Sequence, residues 1–128
     1  MKKRFEFNLQ YPKPLFDNEL DQLIATAKSG LFSRYTDKSV NELENDLAQF
    51  YNTKYAVTCT SGTAALHGSL VALDLPPGSE IITTSVADIG IVIPILYENL
   101  IPVFADIDSE TYNITAEYVE KKITKDTK

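Results

Sequence analysis

The sequence predicts an α/β protein in which helices flank a mostly parallel sheet. Three short apolar stretches rich in β-branched residues recur along the chain, at residues 55–59, 80–84 and 101–105. Each has the length of an ordinary strand, and the longer segments between them have helical character. Strands that alternate with helices at this spacing form βαβ units, which build a parallel sheet covered on both faces. We therefore predict three layers, with the sheet in the middle.

Composition and charge narrow the class of protein. The 128 residues include 44% hydrophobic and 23% charged side chains, which is typical of a globular domain. A net charge of −6 argues against nucleic acid or an anionic membrane as the main partner. No run of about 18 apolar residues predicts a membrane span, and the basic residues 1–7 lack the apolar run of a signal peptide. We therefore expect a soluble, cytoplasmic domain.

The first part of the chain differs in kind from the rest. Residues 19–28 have the pattern of a helix. Ser39, with Glu42 three residues later, matches a capping box before a second amphipathic helix. The sheet-forming pattern begins only afterwards. We therefore predict a helical segment over residues 1–53 and the first βαβαβα units of a larger domain over residues 54–128.

Three further helices are predicted between and after the strands. Residues 63–73 carry apolar side chains at helical spacing, and prolines followed by a glycine end the helix. The next helix starts near Asp88 or near Ile93, because Pro94 suits a first turn and both starts fit the pattern. Thr115 has the features of an N-cap for the last helix.

The residues that follow the first predicted strand are candidates for an anion site. Ser61, Gly62 and Thr63 stand where a strand ends and an alanine-rich helix begins, so free backbone N–H groups lie at a positive helix end. This is the arrangement that a phosphate group requires. The alternative is an ordinary N-cap, with the Ser61 side chain satisfying the first turn and nothing bound. Neither a Walker P-loop nor a G-x-G-x-x-G fingerprint is present.

Four blocks in order resemble the N-terminal part of the DegT/StrS-type sugar aminotransferases, which are pyridoxal-phosphate (PLP) enzymes of fold type I. The blocks are residues 61–67, 75–82, 102–108 and 111–114. The resemblance runs from about residue 18 to the last residue. It implies a partial PLP-transferase large domain, a nucleotide-linked keto-sugar as substrate of the complete enzyme, and either a homo-dimer or a complementing C-terminal polypeptide as partner.

The resemblance also assigns roles to individual residues. It implies that Ser61, Gly62 and Thr63 form the cup for the phosphate of PLP, and it aligns Asp88 with an aromatic residue that stacks on the pyridine ring. A carboxylate cannot stack, so the alternative for Asp88 is a helix N-cap. The family's Schiff-base lysine and its pyridine-pairing aspartate match none of these residues. We therefore do not expect transamination by this chain alone, and the alternative is a non-catalytic interaction domain or a small phosphate-ligand-binding domain.

The remaining candidate residues favour structural roles. The resemblance implies that Asp106 and Asp108 form a turn after the third strand. Two carboxylates alone rarely bind a metal ion. We expect His67 to pack against neighbours or to form a hydrogen bond. We expect Cys59 to be a small side chain in the core. A single cysteine and a single histidine also exclude a Cys/His zinc set. We therefore predict no metal site.

Overall fold

The computed structural model describes residues 17–128, so the basic residues 1–7 and their neighbours up to residue 16 lie outside the described range. The chain divides into two compact units, the first ending at Ala56 and the second covering Val57–Lys128. Among the described residues, no helix is long and apolar enough to cross a membrane.

The first unit contains two helices, α1 at Asp17–Ser29 and α2 at Ser39–Phe50, and both were predicted. The predicted capping box is wrong. Lys38 already has helical backbone angles and provides no side-chain cap, so Ser39 lies in the first turn of α2. The N–H of Ser39 instead donates to Asp37 Oδ1 at 2.8 Å. Hydrogen bonds from the side chain and backbone of Ser39 lower the pKa of the Asp37 carboxyl.

The second unit alternates helices and strands in the predicted order. Its elements are α3 at Gly62–Leu73, β1 at Glu80–Thr84, a 3₁₀ turn at Ile89–Ile91, α4 at Ile93–Tyr97, β2 at Ile101–Ala105 and α5 at Ala116–Glu120. The open choice for α4 is settled in favour of the later start, with Pro94 in the first turn. Thr115 is the N-cap of α5, as predicted, and its side chain accepts from the N–H of Tyr118.

Strands β1 and β2 pair in parallel, with Glu80 opposite Ile101 and Thr84 opposite Ala105. The last residues of the chain also approach β1, because Thr127 forms a parallel bridge to Glu80. Since the backbone of Glu80 bonds to Asp126 and Lys128, β1 lies between β2 and residues 126–128. The parallel α/β fold predicted from the sequence is therefore confirmed.

Residues 55–59, predicted as the first strand, belong to no strand of the described sheet. A strand needs a neighbour for its backbone hydrogen bonds, and neither β1 nor β2 pairs with residues 55–59. The side chains of Tyr55 and Val57 are accordingly 73% and 74% exposed. Cys59 is also exposed, so the prediction that it belongs to the core is wrong.

The buried side chains gather where α4 meets β2, at Pro94, Ile95, Leu100 and Ala105. Helix α3 packs against α4. A hydrogen bond of 2.6 Å between His67 Nε2 on α3 and Glu98 Oε1 at the end of α4 joins the two helices. The hydrogen-bonding role predicted for His67 is therefore confirmed.

Candidate functional site

The N-terminal end of α3 is built around Ser61. This residue has extended backbone angles, its hydroxyl oxygen accepts from the N–H of Ala64 at 3.1 Å, and its carbonyl accepts from the N–H of Ala65. The Ser61 side chain therefore caps the first turn of α3. The N–H groups of Gly62 and Thr63, in the first turn, have no intrahelical acceptor. No acidic side chain lies in that turn itself.

The loop that follows the carboxyl end of β1 turns sharply at Asp88. Its backbone is extended, and Oδ1 accepts from the N–H of Gly90 at 2.7 Å. The side chain therefore caps the 3₁₀ turn, as the alternative interpretation of Asp88 predicted. One carboxylate oxygen is used in this way, while the residue as a whole remains exposed.

These two segments line one open depression of about 470 Å³. Its lining residues are Gly62, Thr63, Ala65, Leu66, Asp88, Gly90 and Ile91. Three of the four residues predicted to contact the cofactor, namely Gly62, Thr63 and Asp88, therefore share one surface. The fourth, Ser61, stands beside it as the cap that fixes the end of α3.

Gly90 is the residue of this depression that sequence reasoning missed. It is buried, and a Cβ at this position would lie 2.3 Å from Thr63 Oγ1 and 2.8 Å from Asp88 Oδ1. The absence of a side chain therefore allows the loop after β1 to approach the end of α3. A glycine inside an apolar, otherwise helical segment was the available signal, since such a glycine often marks close backbone approach.

Gly62 differs from Gly90 in its surroundings. A Cβ on Gly62 would meet no atom of the described chain within 4 Å. The space above the first turn of α3 is therefore open, and the backbone N–H groups there are accessible to a ligand.

One carboxylate oxygen of Asp108 is used by its own turn. Oδ1 accepts from the N–H of Thr111 at 2.8 Å, from the Thr111 hydroxyl and from the N–H of Glu110. These bonds, with the Thr111 backbone first, lower the pKa of Asp108. The predicted turn is confirmed. Within residues 17–128, no group of three or more histidine, cysteine or acidic side chains is arranged to hold a metal ion.

In parallel α/β proteins, ligands commonly bind beside the carboxyl ends of the strands, and phosphate groups are favoured at helix N-termini there. The DegT/DnrJ/EryC1/StrS aminotransferase family matches residues 15–128. The chain therefore belongs to this family, as the sequence blocks predicted.

Individual relatives agree with the family and show how much of it this chain represents. A GDP-perosamine synthase from Escherichia coli O157:H7 is 37% identical over 89 residues, which are 70% of this chain and 24% of that protein. The aminotransferase from Psychrobacter cryohalolentis has a TM-score of 0.83 at 30% identity, over 90% of this chain and 29% of that one. The chain thus spans roughly a quarter to a third of these relatives, and it corresponds to their N-terminal portion.

A third relative bears on the cofactor. E. coli GDP-4-keto-6-deoxy-D-mannose-3-dehydratase, solved with bound hydrated PLP, has a TM-score of 0.81 at 29% identity, over 91% of this chain and 31% of that one. The family resemblance therefore points to PLP as the cofactor.

The depression suits the phosphate group of PLP better than its pyridine ring. The free N–H groups of Gly62 and Thr63 and the Thr63 hydroxyl are suitable donors for a phosphate. Leu66 and Ile91 add apolar surface. Asp88, however, offers a carboxylate where the family resemblance implies an aromatic ring. The residues present thus suit the phosphate, and they leave the ring without its usual stacking partner.

Proposed function

We propose that this chain supplies the phosphate cup of a PLP-dependent aminotransferase that acts on nucleotide-linked keto-sugars. The proposal depends on one observation, the shared depression formed by the first turn of α3 and the loop at Asp88 and Gly90. Membership of the aminotransferase family supports the reaction class. The GDP-perosamine synthase among its relatives supports the substrate class.

Each residue of the depression has a defined task in this proposal. The N–H groups of Gly62 and Thr63 donate to phosphate oxygens, and the Thr63 hydroxyl adds a third donor. Ser61 keeps the first turn in place by accepting from the N–H of Ala64. When bound, PLP supplies an electron sink for the reacting carbon. The covalent bond to PLP needs a lysine, and the resemblance assigns that role to none of these residues, so catalysis by this chain alone is not part of the proposal.

Calorimetric titration with pyridoxamine phosphate and with pyridoxamine tests the cup. Pyridoxamine phosphate has no carbonyl, so it does not react with surface lysines. We expect the phosphorylated ligand to bind at least about tenfold more tightly, because only its phosphate reaches the charged end of α3. Thr63→Val should weaken binding several-fold through the lost hydroxyl. Ser69→Ala, which removes another α3 hydroxyl away from the depression, is the matched control.

Other outcomes distinguish the alternatives. Equal binding of inorganic phosphate and pyridoxamine phosphate would support the small phosphate-ligand domain, since the ring would then contribute nothing. Equal binding of pyridoxamine with and without its phosphate would refute the cup. A loss in Ser69→Ala as large as in Thr63→Val would assign the effect to the helix as a whole.

A second candidate reaction is dehydration of a nucleotide-linked keto-sugar, which the E. coli dehydratase among the structural relatives favours. The two reactions differ in product, because one adds an amino group to the sugar and the other removes a hydroxyl. Mass analysis of the sugar nucleotide after incubation with the assembled enzyme and an amino donor separates them.

We also propose that the protein forms a homo-dimer in the cytoplasm. On α1, the apolar side chains of Leu20, Leu23 and Ile24 are 44%, 59% and 41% exposed, which suits burial against a second copy. The exposed thiol of Cys59 suits a compartment that keeps thiols reduced. Light scattering during size exclusion tests the dimer, and Leu23→Lys should shift the mass to the monomer.

A further inference from the structure

Two residues on one face of α3 contact the segment that follows β1. Thr63 and His67 are four positions apart, so their side chains lie one helical turn from each other on the same face. Both residues are half-buried, as is Leu70, the next residue on this face, whereas Gly68 and Ser69 are exposed. This face of α3 therefore packs against the rest of the second unit.

The contacts of Thr63 and His67 differ in kind. Thr63 Oγ1 lies so close to Gly90 that no Cβ would fit between them. His67 Nε2 lies 2.6 Å from Glu98 Oε1, and the imidazole meets the Tyr97 ring edge to face with centroids 5.7 Å apart. Because a carboxylate only accepts, Nε2 is the donor of this hydrogen bond. A hydrogen bond restricts distance and angle, whereas close packing alone sets a minimum distance.

The carboxylate that accepts from α3 stands on a part of the chain that is fixed to the sheet. At the end of α4, the N–H of Leu100 donates to the carbonyl of Ile95 at 3.0 Å, and both side chains are buried. The carbonyl of Asn99 accepts from the N–H of Gly78 at 2.8 Å, just before β1. Glu98 is therefore an acceptor whose backbone is held in place.

The segment between the two contacts is continuous. Backbone hydrogen bonds close the turns from Asp88 to Glu98, through the 3₁₀ turn and α4. By contrast, residues 57–60, which lead into α3, belong to no strand of the described sheet. Because strand pairing does not hold the chain before α3, the side-chain contacts with residues 88–98 set where the first turn of α3 lies.

We infer that His67 is a positioning residue for the phosphate cup, because its hydrogen bond with Glu98 holds the first turn of α3 against the loop at Gly90. His67 does not line the depression, so it acts without touching the ligand. A displacement of about 1 Å is enough to weaken a site that depends on the direction of its donors. The effect on ligand affinity rests on the proposed cup, whereas the effect on the Gly90 loop does not.

Hydrogen exchange of the Gly90 amide, measured without ligand, tests the positioning directly. This N–H donates to Asp88 Oδ1 at 2.7 Å, and the close approach of Thr63 limits the opening of the turn. In His67→Ala the amide should exchange about threefold to tenfold faster. His67→Gln supplies an N–H donor near the position of Nε2, and it should return the rate to within about twofold of the unmodified protein.

Thr115→Ala is the matched control for lost stability. It removes the N-cap of α5, a helix that does not line the depression. The loss of this cap destabilises the protein about as much as the loss of the His67–Glu98 bond. Gly90 exchange in Thr115→Ala should nevertheless stay within about twofold of the unmodified protein. Circular dichroism shows whether each variant is folded under the conditions of exchange.

Titration with pyridoxamine phosphate measures the consequence for the cup. His67→Ala should weaken binding about threefold to tenfold, whereas His67→Gln and Thr115→Ala should bind within about twofold of the unmodified protein. If the unmodified protein binds pyridoxamine and pyridoxamine phosphate equally, the proposed cup is wrong, and Gly90 exchange alone decides the role of His67.

Four results would overturn the inference. The first is unchanged Gly90 exchange in folded His67→Ala. The second is equal acceleration in Thr115→Ala, which would assign the effect to lost stability. The third is fast exchange that persists in His67→Gln, since ring packing on Tyr97 would then hold α3 instead of the hydrogen bond. The fourth is unchanged affinity of His67→Ala when the unmodified protein prefers pyridoxamine phosphate to pyridoxamine.

Discussion

Replacing Gly90 by alanine tests the contact between the loop after β1 and the end of α3. The new Cβ would lie 2.3 Å from Thr63 Oγ1 and 2.8 Å from Asp88 Oδ1, whereas unstrained contacts of this kind exceed about 3 Å. Overpacking at a buried position typically costs about 1–3 kcal/mol. Alanine regains about 0.5–1 kcal/mol through lower backbone entropy in the unfolded chain. We therefore expect Gly90→Ala to lower the free energy of unfolding by about 1 kcal/mol, within a range of about 0–2.5 kcal/mol.

Urea unfolding followed by circular dichroism measures this change. Gly68→Ala is the matched control, because a Cβ at that position in α3 meets no atom within 4 Å. It should raise stability by about 0.5–1 kcal/mol. Adding Thr63→Ala to Gly90→Ala removes the closest clash and should recover part of the loss. If Gly90→Ala and Gly68→Ala were equally stable, the argument from close approach would be wrong.

Three further perturbations probe the site and its surroundings. Asp88→Asn keeps an oxygen for the N–H of Gly90 but removes a negative charge beside the cup, so affinity for pyridoxamine phosphate should rise about twofold to fivefold at low salt. An unchanged affinity would show that this charge does not act on the ligand. The lowered pKa of Asp108 means that its contribution to stability is present above its ordinary pKa of 3.8 and is lost as the pH falls through the lower folded value. The chemical shift of the Thr111 amide should therefore titrate with a midpoint below pH 3.8, and Asp108→Asn should abolish this titration. A midpoint above 3.8 would contradict the assignment to Asp108. His67→Ala should lower the free energy of unfolding by about 1 kcal/mol, and by less when Glu98 is already alanine. Equal losses in both backgrounds would mean that the two side chains do not interact.

Much of the fold follows from local rules. Helix α3 begins at the Ser61 cap and ends before the prolines, and β1 and β2 coincide with the β-branched stretches. Each of these features depends on residues within a few positions of one another. The sequence signals for them are therefore direct.

The features that were missed depend on partners far away in the chain. Residues 55–59 have the composition of a strand, but composition does not show whether another strand lies beside them. The contact of Gly90 with Thr63 and the hydrogen bond of Glu80 with Thr124 join separate elements. The capping box failed for a different reason, because the backbone at Lys38 is already helical and leaves Ser39 inside α2.

The hydrogen bonds of the Glu80 carboxylate with the hydroxyls of Thr124 and Thr127 also impose an order of events during synthesis. Glu80 and Thr124 are separated by 44 positions, so at typical rates of about 5–20 residues per second the first is made roughly 2–9 seconds before the second. Both strands are complete once Ala105 is made, and until Thr124 follows, the edge of β1 is open to pairing with the wrong segment. Formation of these bonds then occupies the first position of that edge in one register. The same three side chains that align the sheet would thus shorten the period in which a nascent chain is prone to aggregate.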